Sequence, residues 1–375
     1  MRPPSLFPTT VVGSLPRPQW VMDLFAQEIS GQVVPETFQS RLDSAVLYAI
    51  QLQEMAGVDI ISDGEYRRES YVKIFAQSVG GFERDLLDGS AILDDGQFYD
   101  SRARRVVAPS QAESPLRYPA VVRPVEAGRP VVLDEARFLL SHTSLPVKVT
   151  LPSPYILARR LWHPDYSRDA YPTRQDFLND IIPVLRREVR ELEALGVYFI
   201  QLDDPWLSLF VDEGYRSHFE AVEREIQTSI DCINQVVSDT RQAKTGVHFC
   251  RAHYNRSTGF RGDYSYLLPY LKDLRVDQLV MEFALPNAGS LEVLEAFPEH
   301  LELGLGCVDV RAEEIPPPAR IVEMVRQAVR YVGRERITLN PDCGFAPSNT
   351  NPIPVDEAYR KLKAMAEAAR RLREE

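Results

Sequence analysis

Four cysteines and six histidines are few for a chain of 375 residues. Cysteine at that density does not make a disulfide framework. So few histidines, with no His-x-His pair on the first predicted strand, do not suit the histidine-rich centres of barrel hydrolases. No apolar run approaches the roughly 20 residues that a membrane-spanning helix needs. The amino terminus, MRPPSLFPTTVVGS, lacks the apolar core of a signal peptide, so a cytoplasmic location is expected. Basic residues are outnumbered, 43 against 54 acidic, and the net charge of −11 argues against a nucleic-acid-binding surface. Low-complexity tracts and fixed-period repeats are missing as well. What is present is ordinary for a soluble globular protein with a real core: 44% apolar and 26% charged residues.

Short β-branched runs recur with amphipathic helices between them, the pattern of a parallel sheet covered by helices. About eight such runs are read, and eight closes a (β/α)8 TIM barrel. They are Thr9–Gly13, Val58–Ser62, Val147–Leu151, Tyr198–Leu202, Thr245–Cys250, Leu279–Phe283, Leu301–Val308 and Ile337–Asn340. The predicted helices are Glu36–Ala56, Asp176–Leu195, Pro317–Val332 and Asp356–Arg373, the last a charged helix lying on the surface. Gly57 and Gly196 are placed to stop the first two. A single catalytic barrel domain over residues 1–375 is expected. Arg84–Thr143 breaks the rhythm as an insertion between the second and third strands, with short pieces such as ARRVVAPS and RPVVLDEARF read as small strands or a hairpin. Covering the site and joining copies in a homo-oligomer both fit this insertion, and the sequence does not choose between them.

The polar residues fall where the strands end: Gly13-Ser14, Asp63-Gly64-Glu65, Ser153, Asp203-Asp204, His248 and Cys250, Glu282, Asp309, and Asp342-Cys343. In a barrel these ends converge on the face that holds active sites. One acidic strand end is commonly a helix cap; the whole series is harder to explain that way. His248 and Cys250 sit two apart and share a strand face. With Glu282 and Cys343 they make a ligand set that suits zinc and disfavours magnesium, calcium or manganese. Cys232, in a helical segment, and Cys307, alternating with Leu303 and Leu305, read as buried apolar residues. Two thiolates and a carboxylate make zinc a weak Lewis acid toward water, so the site favours activation of a substrate thiol. Glu65 and Asp203 are placed to grip a cationic group such as an α-amino group, unless Glu65 pairs with Arg67 or Arg68. Gly13 and Ser14 offer donors to a carboxylate.

The motifs VVGSLPRP, DGEYRRE, KVTLPSPY, IQLDDPW, VHFC and LNPDCGF, with the Glu282 strand, resemble the catalytic barrel of cobalamin-independent methionine synthase. The likeness runs from Thr10 to Phe345 and is weakest in Arg84–Thr143. It implies zinc on His248, Cys250, Glu282 and Cys343, and homocysteine held by Ser14, Glu65 and Asp203. The implied reaction is methyl transfer to the homocysteine thiolate, giving methionine, in a short single-barrel branch of the family. Two departures touch the methyl donor. Where long members carry a pterin-stacking tryptophan, this chain has Pro152-Ser153-Pro154-Tyr155, leaving Trp206 as the stand-in. Where they carry an Asp-x-His pair for proton delivery, it has Asp309 and Arg311. Asp309 remains the catalytic candidate, and the donor is methyltetrahydrofolate or a methylated corrinoid on a carrier protein. The related alternative is alkylation of another thiol, such as coenzyme M, by an electrophile such as an epoxide, with Arg67 or Arg68 meeting the sulfonate. Metal-dependent hydrolysis, a metal-free decarboxylase-like barrel and a structural zinc site are the remaining readings.

Overall fold

A computed structural model of the protein describes residues 3–88, 98–100, 105–107, 117–126, 128–251, 253–254, 256–258, 260–285, 288–346 and 353–375. Six parallel strands run side by side: Lys148–Pro152, Phe199–Asp203, Lys244–Phe249, Gln278–Glu282, Glu302–Val308 and Ile337–Pro341. The circle is closed by isolated parallel bridges, Thr9 to Leu339, Thr10 to Ile60, and Ile61 to Val147. The chain therefore adopts the α/β barrel expected from its sequence. The first two staves are shorter than expected, each holding its neighbours by single bridges and not by a ladder.

Inward-facing residues alternate with outward ones along each strand. Val12, Phe199 and Val280 form a small apolar cluster apart from the main core. The ring of Phe199 has room because Gly246 has no side chain: a Cβ there would lie 2.8 Å from it. Above this plug the barrel lining turns polar, with Gln201, His248, Glu282 and Asn340 all buried. Outside, helices complete the core with their apolar faces. Helix Pro35–Ala56 ends at Gly57 and helix Arg174–Leu195 at Gly196, both in the left-handed conformation that favours glycine. Thr173 and Asp176 cap the start of the second reciprocally. Helix Pro318–Ala328 is shorter than expected. Helix Val355–Glu374 is less superficial than its charge suggests: it buries Leu362, Met365, Ala368 and Leu372, and Arg373 pairs with Asp59 at 2.5 Å.

Between the second and third staves, Gly80–Asp88 pairs antiparallel with Arg117–Glu126, and Phe98–Asp100 with Arg105–Val107. Much of 89–116 lies outside the described residues. The segment RPVVLDEARF does not form a small strand. It leads into helix Leu133–His142, whose first turn carries Asp134 and Glu135, acidic residues that suit a helix start. Glu188 of the neighbouring helix accepts the Val132 and Leu133 amides at 2.7 and 3.1 Å and fixes that start in place.

Candidate metal and substrate site

The fifth and sixth barrel strands, with the loop after the eighth, bring His248, Cys250, Glu282 and Cys343 together. One ligand atom from each lies within 4.8 Å of every other. The two sulfurs are 3.4 Å apart. The Cys343 hydrogen bond holds the Cys250 thiol below its ordinary value, while the same bond and burial drive Cys343 well above its own. His248 Nδ1 faces Asp203 Oδ1 at 3.2 Å, and its buried Nε2 has no hydrogen-bond partner among the described residues. Burial pushes this imidazole down, but the Asp203 contact, with the Cys250 and Glu282 charges, more than offsets it, so its pKa is raised. Gln201 donates to the same Asp203 oxygen at 2.7 Å.

Glu282 is completely buried. Its Oε1 accepts the Arg251 amide at 2.8 Å and Arg311 Nη2 at 3.2 Å. Its Oε2 lies 2.9 Å from Arg311 Nη1 in an ion pair without hydrogen-bond alignment. Sequence reasoning placed Arg311 only as the residue standing in for a histidine. The structure turns its guanidinium onto the Glu282 carboxylate. Asp309 uses Oδ1 to accept the Arg311 amide at 2.8 Å. Asp342 accepts the Phe283 and Ala284 amides at 3.1 and 3.0 Å, aligning the chain just past Glu282.

The neighbouring half is built on the first two staves. Glu65 has φ 59°, in the left-handed region that few non-glycine residues occupy. Arg17 Nη2 holds that turn by donating to the carbonyls of Glu65 and Arg68 at 2.5 and 2.6 Å. Glu65 Oε1 accepts the Thr150 hydroxyl at 2.7 Å, and burial raises the carboxyl above its ordinary value despite nearby Arg68. Gly13 lets this carboxylate come close: a Cβ at Gly13 would sit 2.4 Å from Glu65 Oε1. Ser14 Oγ accepts the Ala346 amide at 3.3 Å, and its carbonyl accepts Phe345 N at 2.8 Å, tying this stave to the loop that carries Cys343. Arg67 pairs with Asp43 at 2.6 Å. Arg68, buried, pairs closely with Glu135 from the insertion at 2.7 Å and more loosely with Glu65 at 3.7 Å.

Asp203 and Asp204 divide their work. Asp204 caps helix Pro205–Leu209 through Leu207 N at 2.9 Å and takes the Ser153 and Ser229 hydroxyls at 2.8 and 2.7 Å. Burial pushes its carboxyl up to about 6. Trp206 is 4% exposed, and the Arg160 guanidinium lies 4.5 Å from its ring centre and 4.8 Å from that of Tyr118. One face of Trp206 is thus already covered. Glu135, Thr150 and Gln201 were missed as site residues, and none of them carried a local signal; Arg68, three after Glu65, was named as a partner of Glu65 or of a sulfonate.

The family model described as cobalamin-independent synthase, catalytic domain, matches residues 7–371. A curated methionine synthase from Saccharolobus solfataricus is 28% identical over 372 residues, 99% of this chain and 96% of that protein. Another, from Sulfurisphaera tokodaii, is also 28% identical, covering 99% and 94%. Among solved structures, a B12-independent methionine synthase from Shewanella sp. W3-18-1 in complex with selenomethionine superposes with a TM-score of 0.77. It is 24% identical and covers 98% of each chain, a likeness of fold. A methyltransferase from Methanosarcina mazei gives a TM-score of 0.57 at 15% identity over 99% of this chain and 96% of that one.

Proposed function

Because the chain belongs to the family of cobalamin-independent synthases, we propose that it is a zinc-dependent S-methyltransferase that methylates homocysteine to methionine. The observation that carries this reading is the convergence of two thiols, an imidazole and a carboxylate within 4.8 Å. Nitrogen and sulfur donors in this ratio fit zinc. The buried Nε2 of His248, without a partner among the described residues while Nδ1 is engaged, is the ring nitrogen available to a metal. Bound there, zinc would supply the Lewis acidity that keeps a substrate thiol in its nucleophilic thiolate form at neutral pH.

The chain's own residues do the rest. Asp203 fixes the tautomer of His248, as carboxylates behind metal-bound histidines do. Arg311 balances the charge that two thiolates and Glu282 concentrate in one buried place. Glu65, with Asp203 Oδ2, meets the substrate ammonium group, and Ser14 meets its carboxylate. Sulfur then forms its bond to the methyl carbon as the bond from that carbon to the donor breaks. Asp309 lies in the loop that faces the donor, which is methyltetrahydrofolate or a methylated corrinoid on a carrier protein. The selenomethionine bound to the Shewanella protein, a methionine analogue, agrees with this choice of product. The coenzyme M alternative draws less support, because both arginines available to a sulfonate already hold carboxylates, Asp43 and Glu135.

The direct test loads the protein with zinc and homocysteine and offers methyltetrahydrofolate, its polyglutamate and methylcobalamin in parallel. Methionine should form with one of them and require the metal. Full activity in metal-free protein would sink the reading.

A further inference from the structure

Building on the reading of Glu65 as the group that meets the substrate ammonium, we propose that Glu135 is a positioning residue for amino-group recognition. It draws Arg68 out of hydrogen-bond contact with Glu65 and so leaves the Glu65 carboxylate open to the substrate. The insertion thereby helps to set which thiol the barrel accepts.

Arg68 is 2% exposed and directs two donors at one oxygen of Glu135, Nε at 2.9 Å and Nη2 at 2.7 Å. Two charge-assisted bonds to one oxygen mark an ionised pair, although burial pushes the Glu135 carboxyl up to about 7. Arg68 Nη1 donates to Thr150 Oγ1 at 2.8 Å, and the Thr150 hydroxyl donates onward to Glu65 Oε1 at 2.7 Å. Arg68 Nη1 is 3.7 Å from that same Glu65 oxygen, a loose ion pair beyond hydrogen-bond reach. Thr150 thus acts as a spacer. Glu135 is held in turn by the docking of its helix start onto Glu188.

The charge count follows from this geometry. Arg68 meets Glu135 at 2.7 Å but Glu65 only at 3.7 Å, so most of the Glu65 charge is left for the substrate ammonium. Of the other nearby cations, Arg17 Nη2 donates to the backbone carbonyls of Glu65 and Arg68, and Lys148 Nζ to that of Val11. Without the Glu135 charge, Arg68 would pair fully with Glu65, and the substrate ammonium would meet a neutralised carboxylate with a guanidinium beside it. In a buried site such like-charge placement is strongly unfavourable.

The test compares homocysteine with 4-sulfanylbutanoate, which keeps the thiol and carboxylate but lacks the amino group. Binding to zinc-loaded protein is read by calorimetry, so no methyl donor is needed. Glu135→Gln should weaken homocysteine binding about tenfold while 4-sulfanylbutanoate binding and zinc content stay unchanged. The double variant Glu135→Gln/Arg68→Gln, which removes the guanidinium together with its carboxylate, should recover most of the lost affinity. It also keeps the test available if the single variant does not fold, since it should then still prefer homocysteine as the wild type does. Equal losses for both thiols, no loss, or a double variant without that preference would overturn the proposal. A wild-type protein that binds both thiols alike would instead overturn the homocysteine reading beneath it.

Discussion

Asp203 Oδ1 stands 3.2 Å from His248 Nδ1, and a carboxylate can only accept, so the imidazole proton lies on that nitrogen. The aspartate expected to touch only substrate therefore also orients a metal ligand. Asp203→Asn should lower zinc affinity about 10- to 100-fold, measured by competition with a chelator. An unchanged affinity would show that Nδ1 needs no such partner.

His248→Ala and Cys343→Ser each remove one of four converging donors. Zinc content by elemental analysis and methyl transfer should fall together in both variants. A variant that kept full activity without metal would separate the cluster from the chemistry.

Arg311 and Glu282 form a buried ion pair, and breaking one partner leaves the other charge stranded. Arg311→Met should destabilise metal-free protein by about 3–5 kcal/mol. Zinc-loaded protein should lose clearly less, because Glu282 then has the metal to face. Urea melts with and without zinc check this, and equal losses would count against a shared role for Glu282.

Gly13→Ala would place a methyl group 2.4 Å from Glu65 Oε1 and force that carboxylate off Thr150. Homocysteine binding should weaken about tenfold or more, in keeping with the cost of misplacing a positioning group. Zinc content should not change.

Asp204 carries a carboxyl raised by burial to about 6, against about 3.9 in an unfolded chain. Folding therefore favours its protonated form. This contribution is fully present below pH about 4 and is lost as the pH rises to about 6, a change of about 3 kcal/mol. Asp204→Asn removes that dependence, so the variant should gain on wild type between pH 4 and pH 7. Urea melts at several pH values would show it, and parallel curves would refute it.

Much of the barrel was legible because strand runs, glycine stops and polar strand ends each leave a local mark. The four converging donors were legible for the same reason, since each sits at or just past a strand end. Partner choice was not. Arg67 and Arg68 are adjacent, yet one turns to Asp43 and the other to Glu135, across the fold. Asp203 and Asp204 look equivalent in the sequence, and only the neighbouring Ser153, Ser229 and His248 separate a cap from a site residue. RPVVLDEARF alternates like a strand, but Glu188 captures its amides and a helix begins. Such outcomes are decided by tertiary geometry that no local window contains.

The metal-ligating strands belong to the arc of the barrel with continuous ladders, whereas Gly13, Ser14 and Glu65 belong to the seam, where single bridges close the ring. A molecule that touches Ser14 and Glu65 at one end and the His248–Cys343 cluster at the other is a stitch across that seam. Its arrival would slow amide hydrogen exchange around Thr9, Thr10, Ile60 and Ile61, residues it does not touch. The acceptor would then serve briefly as a structural member of the barrel, and its departure as product would loosen the ring again.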